Sequence, residues 1–164
     1  IWWNIKSVMF EELIFRGVLF YILIRKIGAI KAMILSSIAF GMYHWFSQEV
    51  FGNITQMPII FLLTGIMGML YAYGYVKSNS LYIPCAIHLG WNITQGFIFS
   101  QGSIGNGILV QPAPQPVVNV SYFVYFCILL VPLLSAWGLN FLLLHRGVHT
   151  VPPAYDWQNE KPTD

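Results

Sequence analysis

Phe10-Glu11-Glu12-Leu13-Ile14-Phe15-Arg16-Gly17 sets two adjacent carboxylates and a guanidinium into a run otherwise made of Val, Met, Phe, Leu and Ile. The composition around it decides how those charges are read. Of 164 residues, 57% are hydrophobic and 9% charged, at a mean hydropathy of +0.64, whereas soluble domains carry about 25% charged residues. The chain up to His145 has too few charges to coat a globule in water, so the bilayer is its solvent. A charge at the centre of a membrane span costs about 2.5 to 3.5 kcal/mol on insertion scales, so three in one run call for a chemical reason.

Working outward, five apolar runs approach the roughly 20 residues needed to cross a bilayer: 2–25, 30–47, 55–76, 81–100 and 120–145. The expected fold is all-α, a polytopic transmembrane bundle of about five spans, with the termini on opposite sides. Arg25, Lys26, Lys31, Lys77, Arg146 and Lys161 all fall on one side of this arrangement, which the positive-inside rule makes cytoplasmic together with the C-terminus. Residues 1–146 are read as the membrane core. From Val148 to Asp164 the chain has three prolines, four charges and little periodicity, so 147–164 is expected to be a short disordered cytoplasmic tail. No basic n-region or short cleavable apolar segment opens the chain, so no signal peptide is expected. No basic run suits nucleic acid. Cys85 and Cys127 lie in apolar stretches without CxxC spacing and are expected to be buried thiols. Thr64, Gly68 and Ala72, four apart, are expected to let helices approach closely.

At about 100° per residue, Glu12 and Arg16 share a helix face and can pair, which turns Glu11 elsewhere and frees it for proton chemistry. Phe40-Gly41-Met42-Tyr43-His44 places Phe40 and His44 on one face of the second span, and His88-Leu89-Gly90-Trp91-Asn92 does the same for His88 and Asn92 on the fourth. With a rise of 1.5 Å per residue, Glu11 lies about 21 Å from Arg25 and His44 about 20 Å from Lys31. His88 and Asn92 lie about 10 to 17 Å from Leu81 by the same rise. Three helices thus bring a carboxylate, two imidazoles and a carboxamide to overlapping layers.

Such a group suits acyl hydrolysis without a serine or cysteine nucleophile. The carboxylate would act as general base on water, an imidazole would orient that water, and the second imidazole with the carboxamide would stabilise an oxyanion. Two His and a Glu are also a common zinc set, so zinc stands as the alternative to no cofactor. A bis-histidine haem protein using His44 and His88 and a non-catalytic membrane scaffold are the rival classes.

Glu11-Glu12-x-x-x-Arg16, Phe40-x-x-x-His44 and His88-x-x-x-Asn92, in this order on membrane helices, resemble the CPBP family of intramembrane proteases, which includes the type II CAAX prenyl endopeptidases and bacterial Abi proteins. The resemblance covers Phe10 to Asn92 in detail. It implies hydrolysis of a peptide bond in a membrane-associated substrate, prenylated CAAX proteins included, with bacterial immunity proteins of the same fold as a further outcome. It implies that Glu11 and His44 activate water, that His88 and Asn92 stabilise the oxyanion, that Glu12 and Arg16 organise the site, and that no metal is needed. Relatives usually carry further helices before the Glu-Glu motif, so either the chain is truncated or those helices are dispensable. Trp45, Phe46 and Trp91 beside the motifs are expected to be interfacial anchors rather than the lining of a groove. His145 and His149 are expected to stand outside the site.

Overall fold

The first apolar run is two helices, not one. In the computed structural model, which describes residues 2–95 and 121–145, α1 (Trp2–Arg16) stops at Gly17 and α2 (Val18–Ile27) starts after it. A Cβ at Gly17 would lie 2.2 Å from the Leu13 carbonyl oxygen, so only glycine fits this break. The expectation of a continuous span over 2–25 is corrected here. A lone glycine within an apolar run does not announce whether it is tolerated in a helix or interrupts one.

The second, third and fifth runs keep their expected places, while the fourth, expected over 81–100, is helical over Tyr82–Ile93 and lies outside the described residues from 96 on. Gly28 alone joins α2 to α3 (Ala29–Ser47), α4 covers Gln56–Ser78, α5 covers Tyr82–Ile93 and α6 covers Tyr122–His145. Among the described residues the fold is all-helical, in agreement with the expected bundle. The uncharged stretch 101–119, Arg146, His149, Lys161 and the tail from 147 onward lie outside the described residues.

Helix α4 is the axis of the packing. It lies along α3, the most extensive helix pair, and also contacts α5 and α6, while α1 rests against α5, α2 and α3. Phe40, Met67, Leu70, Tyr71 and Leu133 form one core cluster, and Phe20, Ile24, Ala32, Ala72 and Tyr75 form another nearer the α2–α3 turn. The small residues on α4 permit this closeness: a Cβ at Gly68 would lie 3.0 Å from Phe40 Cδ1. The Trp137 indole N–H donates to the Ile66 carbonyl at 3.2 Å and fastens α6 to α4.

Polarity is inverted relative to a soluble domain. Glu12 and Arg16 are fully buried while Val18 and Leu19 are about three-quarters exposed. Helices α4 and α6 are long and apolar enough to cross a membrane, with mean hydropathies of 1.8 and 2.2 over their most apolar windows. Of those windows, 39% is buried for α4 and 6% for α6, so among the described residues α6 is the more outward-facing of the two.

Candidate active site

The face of α1 turned inward carries Glu11, Glu12 and Arg16, all buried. Arg16 Nη1 donates to Glu12 Oε1 at 3.3 Å, the expected i,i+4 pair. Its Nη2 donates to the Gly68 carbonyl at 2.7 Å, and the guanidinium lies 4.4 Å from the Phe40 ring and 5.3 Å from the Tyr71 ring. The positive charge is therefore held by a carboxylate, a backbone dipole and two aromatic faces. Gly68 serves twice, since its missing side chain admits both Phe40 and the guanidinium.

Glu12 Oε1 also lies 2.7 Å from His88 Nδ1. This contact joins α1 to α5 and fixes the His88 ring, which stacks on Tyr71 with centroids 4.5 Å apart and planes 15° from parallel. His44 is fixed in a comparable way by α3 itself, with Nδ1 2.8 Å from the Phe40 carbonyl oxygen. A carbonyl only accepts, so Nδ1 of His44 carries the hydrogen and Nε2 is left bare in the neutral ring.

Both Nε2 atoms face one carboxylate oxygen. Glu11 Oε2 lies 3.8 Å from His88 Nε2 and 3.9 Å from His44 Nε2, and it is buried with no hydrogen-bond partner. These spacings are too long for direct hydrogen bonds and suit a shared water making bonds of about 2.8 Å. The other oxygen, Oε1, accepts from Ser7 Oγ at 3.1 Å. Glu11 is therefore not without a partner on its own helix, as the sequence had suggested; Ser7, four residues earlier on the same face, is the residue that reasoning missed.

His44, His88 and Asn92 line a cleft of about 390 Å³ between α3, α4, α5 and α6. Glu11 stands behind the imidazoles and is not part of the cleft wall. Asn92 is half-buried on that wall, and among the described residues nothing bonds its carboxamide. Five of the six expected site residues thus form one contact network, and the sixth shares the cleft. Trp91 also lines the cleft, which corrects its reading as an interfacial anchor. Trp45 turns its indole N–H to the Met57 carbonyl at 2.9 Å, and Phe46 is exposed and stacked on Phe51. Cys85 and Cys127 are free and half-buried rather than buried. His145 stacks on Phe141, away from the cleft.

Among the described residues no three His, Cys, Asp or Glu side chains are grouped as a metal donor set. The haem alternative meets a carboxylate oxygen within 3.9 Å of both ring nitrogens, in space a porphyrin plane would need.

These features define a class: a helical membrane protein whose few interior charges are buried together behind the histidines of one cleft. Residues 1–94, more than half of the chain and inclusive of every site residue above, match the family described as type II CAAX prenyl endopeptidase Rce1-like. The chain belongs to that family, which is a family of integral membrane proteases that process prenylated proteins. No curated protein and no solved structure matches the chain.

Proposed function

We propose that this protein is an intramembrane endopeptidase in which Glu11 and His44 activate a water molecule that attacks the scissile carbonyl. The observation that carries this reading is the orphaned Glu11 Oε2, equally spaced from two imidazole nitrogens at non-bonding distance. A water in that gap meets three acceptors, if both rings are neutral with hydrogen on Nδ1, yet it has two hydrogens to give. In its imidazolium form His88 keeps Nδ1 on Glu12 and offers an Nε2–H donor to the oxyanion, beside the Asn92 carboxamide.

The step then balances. Glu11 takes a proton from water as its oxygen bonds the carbonyl carbon, and the tetrahedral oxyanion is held by His88 and Asn92. The Glu11 carboxyl then gives the proton to the departing amine nitrogen as the C–N bond breaks. Glu12 and Arg16 act as positioning residues: Glu12 holds the His88 ring, and Arg16 holds Glu12. The substrate is a membrane-associated peptide or protein, with prenylated CAAX proteins first among those to test.

In this reading residues 1–146 form a multi-pass core in the bilayer, with the C-terminal tail from 147 on the cytoplasmic side. The experiment is cleavage of a quenched farnesylated CAAX peptide panel in detergent, with and without chelator, by the wild type, Glu11→Gln and His44→Ala. Loss of cleavage in both variants at unchanged helicity, and indifference to chelator, is the expected result. Full cleavage by either variant rejects the assignment, and loss of wild-type activity on chelation moves the chemistry to a metal.

A further inference from the structure

We propose that Gln48 and Gln95 form a carboxamide clamp that holds the backbone of an extended substrate beside the scissile bond. This rests on the endopeptidase reading and deepens it by naming groups that recognise the substrate. Helices α3 and α5 both run away from the end of the bundle that carries Lys31, in the first turn of α3, and Lys77, in the last turn of α4. Gln48, the first residue past α3, follows His44 by four residues; Gln95, two residues past α5, follows His88 by seven and Asn92 by three. At helical spacing both fall on the faces of the site residues, one to two turns farther along.

Both line the same cleft as His44, His88 and Asn92, and both are exposed. Among the described residues nothing bonds either carboxamide. Across the cleft, Leu63 and Met67 of α4 and Leu133 of α6 are apolar, and Thr64 of α4 gives its hydroxyl to the Ile60 carbonyl at 2.7 Å. Apart from Tyr71, which stacks on His88, the cleft therefore has one amide-rich edge and one wall with no free polar group.

A peptide bond can be attacked only where its carbonyl is accessible, so the segment entering the cleft is extended and its N–H and C=O groups have lost their helical partners. In a lipid-surrounded cleft each such unpaired group is costly. A carboxamide carries two donor hydrogens and an acceptor oxygen, so it pairs with either backbone group, whatever the substrate side chain. Two of them beside the scissile bond would act as a neighbouring strand does when it receives an added peptide.

The test is steady-state cleavage of the farnesylated peptide and of an analogue in which ester oxygens replace the backbone N–H groups flanking the scissile bond. Gln48→Leu and Gln95→Leu should each raise KM about fivefold, the worth of one hydrogen bond, with kcat nearly unchanged. On the ester analogue the wild type should lose a similar factor and the variants no more, because the group they would pair is absent. Gln48→Ala and Gln95→Ala should repeat the pattern where leucine disturbs insertion. A flat KM in both variants, or variant and ester losses that simply multiply, overturns the clamp. If Glu11→Gln still cleaves, or the wild type cleaves no peptide, the endopeptidase reading itself falls. If Glu11→Gln is inactive and KM stays flat in the glutamine variants, the clamp alone falls.

Discussion

Glu11 and Glu12 are adjacent in sequence and belong to two different regions of the molecule. Around Glu12 the bundle supplies close partners: Oε1 takes contacts from Arg16 at 3.3 Å and His88 at 2.7 Å, while Oε2 is buried without a hydrogen-bond partner, and Arg16 is held in turn by Gly68, Phe40 and Tyr71. Around Glu11 it is unfinished: one oxygen is bonded to Ser7 and the other faces two imidazoles across gaps that a water fits. Each carboxylate keeps one bonded and one orphaned oxygen, so they differ in what faces them: Glu12 meets a guanidinium and an imidazole at bonding distance, and Glu11 meets two imidazoles across water-sized gaps. On that difference rests the proposal that Glu12 positions and Glu11 acts as the base.

The contrast can be broken by substitution. Glu11→Gln should lower the cleavage rate about 10³-fold, within the range for removal of a general base, while the detergent melting temperature stays as in the wild type. Arg16→Met should do the reverse first, costing about 3 to 5 kcal/mol of stability because Glu12 is left buried without its guanidinium, with only the His88 contact, and activity should fall with it. Adding Glu12→Gln to Arg16→Met should recover part of the melting loss, since removing both charges is far less costly than removing one. If the double variant melts no higher than the single, Glu12 is not the group that Arg16 stabilises.

Smaller effects sharpen the picture. Gly68→Ala inserts a methyl 3.0 Å from Phe40 Cδ1 and 3.2 Å from Arg16 Nη2. It should cost about 1 to 3 kcal/mol in thermal melts and displace the guanidinium. Ser7→Ala removes the one fixed hydrogen bond to Glu11 and should slow cleavage by about fivefold or less, with melting unchanged. An unaltered rate in Ser7→Ala would mean that Glu11 is oriented by the imidazoles alone.

Much of this was legible in the sequence, for a physical reason. In lipid, buried charge is so costly that Glu11, Glu12 and Arg16 mark themselves, and helical spacing pairs Glu12 with Arg16 before any coordinates are known. The depth of His44 and His88 followed from helix rise, because spans begin at fixed boundaries. What stayed hidden involves groups without a side-chain signature. Arg16 ends on the carbonyl of Gly68, and His44 on the carbonyl of Phe40, and every residue has a carbonyl. The break at Gly17 depends on a clash with Leu13 that only the folded backbone defines. Tyr71 under the His88 ring and Trp91 in the cleft wall look like any other aromatic residues in an apolar run. Ser7 was readable, being four residues before Glu11, but a serine near a helix start has other common uses.

The central claim is that Glu11 drives a water directly onto the scissile carbonyl, and single-turnover cleavage in ¹⁸O-labelled water tests it most directly. The account predicts one ¹⁸O atom in the new peptide carboxyl, no peptidyl-enzyme adduct by mass, and loss of label incorporation in Glu11→Gln. A covalent adduct on the chain, or labelling by Glu11→Gln at the wild-type rate, would contradict it.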